Sequence, residues 1–161
     1  MNWIDISNTY NKIPDIIGIY LNDIEIYQGP GDVQNLKFMP RAGDNVLKVC
    51  LIKKSNDNFI FDSTHNKRIF DSTVEIKSIV VENRYLRSLL NKCGLVEIDI
   101  KKHVNFEQQY LHGATVMTME NSCYSIKFPT PIKNWIQLNL HNRILNNGSD
   151  SYINIKKELN L

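Results

Sequence analysis

Cysteine is scarce in this chain and badly spaced for chemistry. Cys50, Cys93 and Cys123 are odd in number and far apart, with no C-x-x-C pair. That argues against a zinc ribbon or a dithiol redox motif and implies no disulfide framework. The expectation is three reduced thiols, with Cys50 a small core residue inside the apolar run Val49-Cys50-Leu51. Long apolar runs are also missing. None approaches the roughly 18 residues of a membrane-spanning helix, so no membrane partner is expected. The start, MNWIDISNTYNKIP, carries acidic and polar residues where a signal peptide needs a basic end and an apolar stretch, so no export signal is expected. Net charge is only +2 and no dense Lys/Arg cluster exists, which argues against nucleic acid.

Catalytic motifs are equally sparse. The segment Gly29-Pro30-Gly31-Asp32 has the glycines of a phosphate loop. It lacks the Lys that would reach the phosphates and the helix that would face them, so it reads as a turn. The histidines, His65, His103, His112 and His141, fall in separate polar segments without the His-Glu-x-x-His spacing of a zinc protease. Ser72, Ser78 and Ser88 lack the Gly-x-Ser-x-Gly elbow of a hydrolase. No carboxylate pair flanking a cleft for sugar hydrolysis is indicated. The expectation is a protein that is not an enzyme.

What is present is a succession of short strand patterns. At 161 residues the chain fits one domain with a sizeable core. Ile19-Tyr20-Leu21 and Ile24-Glu25-Ile26-Tyr27 flank Asn22-Asp23, and both turn residues tolerate positive φ. Leu36 to Met39 reads as a strand ended by Pro40. Val46 to Ile52 is the most apolar candidate and is expected to be central. Phe61-Asp62-Ser63-Thr64 recurs as Phe70-Asp71-Ser72-Thr73, two strand edges around the turn 64–67. Thr73 to Val81 alternates and then becomes wholly apolar, as a strand that passes from half-buried to buried. Leu95 to Ile100 is another candidate strand. Ala114 to Met119 and Cys123 to Phe128 are expected to form a hairpin about residues 120–122. Helical spacing of Tyr85, Leu86, Leu89 and Leu90 predicts a short helix over Arg84–Cys93, closed by Gly94. A second helix is expected over Trp135–Leu145. The fold class that follows is mainly β: a single antiparallel β-sandwich, jelly-roll-like, with one or two short helices. Residues 1–14 read as an N-terminal arm, 15–145 as the sandwich and 146–161 as a C-terminal tail.

Two candidate sites emerge. Asp62 and Asp71 would hold Ca²⁺ if they faced each other across the 61–70 hairpin, since calcium prefers oxygen ligands. Asn22, Asp23, Asp44 and Asn45 form a second such set if their turns converge. Trp3, Trp135 and Tyr27 are candidates for contact with a carbohydrate or a protein partner, because flat aromatic faces suit sugar rings and interfaces alike.

The order Ile19-Tyr20-Leu21-Asn22-Asp23, then Ala42 to Val49, then Lys67 to Ile79, then the Leu-rich segment, then Phe128-Pro129-Thr130-Pro131 before Trp135 resembles a known group. It is similar to small virion-associated proteins of contractile-tailed bacteriophages, β-sandwiches related to carbohydrate-binding modules. The resemblance covers roughly residues 16–140. Asn and Ile make up about a quarter of the chain, a bias of A/T-rich coding that suits such a source. The resemblance implies a structural, non-enzymatic protein of the capsid, neck or tail. Its implied partners are other virion proteins, in a homo-oligomer or symmetric assembly, with terminal arms tying neighbours together. It carries no site residues over. The alternative is a carbohydrate-binding module for adhesion to the host surface, with calcium as the candidate cofactor.

Overall fold

The computed structural model describes residues 1–86, 96–100, 116–118, 120–134 and 137, with the backbone alone for 96–100. The architecture is a β-sandwich-like pair of antiparallel five-stranded sheets plus a separate two-stranded hairpin. The first sheet contains β1 (Trp3–Thr9), β4 (Val33–Lys37), β8 (Thr73–Val81), β9 (Arg84–Tyr85) and β11 (Val116–Met117). Its order is β11-β8-β1-β4, with β9 also on β8. The second contains β2 (Ile16–Leu21), β3 (Ile24–Pro30), β5 (Gly43–Lys53), β10 (Val96–Ile100) and β12 (Ser122–Thr130), in the order β10-β12-β5-β2-β3. The hairpin is β6 (Phe59–Asp62) with β7 (Lys67–Asp71). A single 3₁₀ turn, Asn56–Asn58, leads into it.

Alternation builds the core. Ile4 and Ile6 from β1, and Val74, Ile76 and Ile79 from β8, point inward from one sheet. Ile17, Ile19, Leu47, Val49, Leu51, Tyr124, Ile126 and Phe128 meet them from the other, in one cluster. β5 lies between β2 and β12, the central place its apolarity predicts. Asn22 and Asp23 adopt φ of 52° and 65° and link Leu21 to Ile24, the two-residue turn expected there. Gly29 and Pro30 close β3, and Gly31 sits where a Cβ would come within 2.8 Å of Asn8 Cβ. The glycine segment is therefore a close-packed crossing between sheets.

Several expectations are corrected. Residues 1–14 do not form an arm: Trp3–Thr9 is an inner strand, paired with β8 on one side and β4 on the other. Its pattern, Ile4, Ile6 and then Asn8 inward, is a strand pattern whose last inward residue is polar. The helix over Arg84–Cys93 does not begin as one. Glu82 and Asn83, at φ 51° and 62°, turn the chain back so that Arg84–Tyr85 pairs with β8. Leu86 then enters the core while Tyr85 stays outside. Residues 87–95 lie outside the described residues, as does most of the helix expected over 135–145. The hairpin expected about 120–122 is no hairpin: β11 pairs with β8, and β12 pairs with β5 and β10 in the other sheet. The strand expected at 36–39 begins earlier, at Val33. Cys50 and Cys123 are not free thiols. They stand opposite each other on β5 and β12 and form a disulfide. Spacing in sequence could not reveal this, because a ladder between distant strands brings the pair together. The tail 146–161 lies outside the described residues.

Candidate functional site

The β6–β7 hairpin forms a sheet of its own, with a buried polar root, a polar turn and exposed apolar side chains along its strands. At the root, the fully buried Asn58 ends the 3₁₀ turn. Its amide Nδ2 donates to Asp15 Oδ1 at 2.7 Å and to the Ile13 carbonyl at 2.8 Å. Its Oδ1 accepts from the Asn11 N–H, and its backbone carbonyl accepts from the Ser72 N–H. Asp15 is fully buried as well, and also accepts from Asn8 Nδ2 at 3.0 Å and from the Ser55 N–H at 3.3 Å. Asn8 closes the set by accepting from the Asp15 N–H at 2.7 Å and donating to the Thr73 carbonyl at 3.1 Å. A buried polar network satisfied in this way fixes one arrangement of the chains that cross it.

Charge reinforces the root. The Lys54 ammonium pairs with Asp71 and donates to the carbonyls of Ser72 and Thr118, the latter at 2.8 Å. Arg68 reaches the other Asp71 oxygen at 2.8 Å and lies over the Phe59 ring, 5.6 Å from its centre. A cleft of about 480 Å³ runs beside the root, lined by Ile13, Pro14, Ile16, Lys53, Lys54, Ser55, Asn56 and Asp57.

Along its strands, from Phe59 at the root outward, the hairpin exposes apolar side chains. Phe59 and Phe61 are each 48% exposed, Ile69 62% and Ile60 36%. Register sets Ile60 opposite Phe70 and Phe61 opposite Arg68, with an extra residue on β7 that bends the strand. At the turn, Asp62 accepts from the N–H groups of Thr64 and His65 and contacts the His65 ring Nδ1 at 2.6 Å. The bond to His65, above all, holds the Asp62 carboxyl below its ordinary range. The root and the turn therefore carry between them four large apolar side chains that no core among the described residues covers.

The residues singled out from the sequence are distributed differently from the expectation. Asp62 lies opposite Lys67 at the turn, and Asp71 opposite Phe59 at the root. The two carboxylates are thus at opposite ends of the hairpin and do not share a site. The turns of Asn22 and Asn45 do converge, with Asn22 Nδ2 donating to Asn45 Oδ1 at 3.0 Å. Their remaining bonds run to the Val46 N–H, the Arg41 N–H and the carbonyls of Arg41 and Gly43, so they bind the loop to the strand. Asp23 pairs with Lys48 at 2.5 Å. Among the described residues no group of three or more His, Cys, Asp or Glu is arranged to hold a metal.

Trp3 and Tyr27 lie in different sheets, on β1 and β3. Trp3 packs edge-on against Tyr85 at 5.8 Å with the ring planes at 90°, so these two rings do not form one flat platform. Tyr27 donates its hydroxyl to the Pro30 carbonyl at 2.8 Å. Trp135 lies outside the described residues, as do His103, His112 and His141. The residues that sequence reasoning missed are Phe59, Ile60 and Ile69. Their signal was available: five apolar side chains on a short hairpin whose neighbours are polar turns.

Comparison with family models, with curated proteins and with solved structures finds no match to the chain.

Proposed function

We propose that the protein is a structural component of a bacteriophage virion, of the capsid, neck or tail, which docks on other virion proteins through the β6–β7 hairpin. The observation that carries the docking role is the exposure of Phe59, Ile60, Phe61 and Ile69 on an element pinned at its root. By strand alternation Phe59 and Phe61 share one face of β6 and Ile60 takes the other, and exposed apolar side chains held on an ordered element mark interaction sites. The sandwich supplies the rigid body and the hairpin the contact. With Trp3–Thr9 inside a sheet, contact falls to the hairpin and not to an arm at the start of the chain. The virion assignment rests on the sequence resemblance. A disulfide suits a protein that spends time on a particle outside a reducing cytoplasm. No catalytic step is proposed. The docking reading is preferred to the carbohydrate one because Asp62 and Asp71 stand at opposite ends of the hairpin.

Quantitative mass spectrometry of purified particles tests the role. The expected result is this chain at a copy number that is a multiple of a capsid, neck or tail symmetry. Absence from washed particles would overturn the proposal.

A further inference from the structure

Cys50 and Cys123 are directly opposed in a ladder of nine residue pairs, from Gly43 with Thr130 to Leu51 with Ser122. The flanking residues Val49, Leu51 and Tyr124 are fully buried in the common core, so the backbone pairing is fixed from the inner side of the sheet. Both cysteines project from the other side and are half-buried. Their placement therefore follows from the ladder and the core, with no covalent tie needed to produce it. A chain of this size with a core drawn from both sheets also stands well above the range in which small domains depend on disulfides.

We infer that the Cys50–Cys123 bond is a lock closed after folding, and not a staple on which the fold depends. The oxidant class is a small-molecule disulfide such as oxidised glutathione. One cysteine, as thiolate, attacks a glutathione sulfur and releases one glutathione thiolate, leaving a mixed disulfide. The opposed cysteine, having lost its proton to solvent, attacks the protein sulfur of that adduct and releases the second glutathione. One S–S bond forms in the protein, one breaks in the oxidant, and two electrons pass to glutathione. A dithiol reductant reverses the sequence. In a reducing compartment the protein is folded and unlocked; in an oxidising one it is folded and locked.

The test uses the full chain with Cys93→Ser, so that only the opposed pair is read. The protein is reduced without denaturant, freed of reductant, examined by circular dichroism and thermal melting, and then given oxidised glutathione. The expected result is a reduced chain with the same β signature and a cooperative melt. It then forms the Cys50–Cys123 link in non-reducing peptide maps and gains roughly 5–15 °C in Tm. A reduced chain that is unfolded would overturn the inference. So would a folded dithiol that stays open, or that stops at glutathione adducts. The double variant Cys50→Ser, Cys123→Ser should melt like the reduced protein; if the serines themselves disturb the sheet, the reduced chain decides.

Discussion

Single polar side chains hold together parts of this molecule that hydrophobic contact leaves loose. Asp15 is the clearest case, since its carboxylate gathers Asn8, Asn58 and the Ser55 N–H from three stretches of chain. Replacing it by Ala leaves buried amide donors without an acceptor, which costs about 2–4 kcal/mol. Urea denaturation of Asp15→Ala should show that loss; an unchanged midpoint would mean the network is dispensable. Tyr124 makes the opposite point. Its hydroxyl is buried with no hydrogen-bond partner among the described residues, and burial pushes its phenol up to about 12. In the unfolded chain a tyrosine titrates near 10, so between these values only the folded state keeps the proton. The contribution to stability is therefore intact below pH about 10 and falls as pH rises toward 12. Tyr124→Phe should match the wild type within about 1 kcal/mol at pH 7 and lose less stability above pH 10. Identical alkaline profiles for the two proteins would contradict this account of Tyr124.

Element by element, what could be read from sequence was what local chemistry dictates. The Asn22-Asp23 turn and the central place of β5 follow from residues within a few positions of each other. β1 was obscured because its inward row ends in Asn8, a residue that looks exposed until Asp15 is placed beside it. The start of the supposed helix at Arg84 was obscured because Tyr85, Leu86, Leu89 and Leu90 fit a helical stripe, while the Glu82-Asn83 turn forces a strand return. The disulfide, the separation of Asp62 from Asp71 and the division of β11 from β12 depend on register or partner choice, which no short window encodes. The hairpin's apolar composition was legible but its exposure was not, since only the fold tells whether Phe59 and Ile69 meet a core. Deleting residues 1–9 should abolish folding, because it removes the strand between β8 and β4; a truncated chain with native circular dichroism would restore the arm reading. Phe61→Ser with Ile69→Ser should cost no more than about 2 kcal/mol, as about half of Phe61 and most of Ile69 is already in solvent.

At the scale of the whole molecule, two sheets share one core, and among the described residues the hairpin is tied to it through the polar network and ion pairs of its root. Two-stranded sheets alone are marginally stable, so local opening should concentrate there. Among the described residues, hydrogen exchange should find the amides of β5, β12, β2, β1 and the buried part of β8 more protected than those of residues 60–69. The same division of labour, a stable sandwich that carries an exposed apolar hairpin, is what a docking protein of a particle needs. The most direct measurement is the copy number in purified particles of the wild type and of a chain carrying Phe59→Ser, Phe61→Ser and Ile69→Ser, each supplied in place of the resident protein. The account predicts a fixed stoichiometry for the wild type and absence of the folded variant. A variant incorporated at the wild-type level would contradict docking through the hairpin.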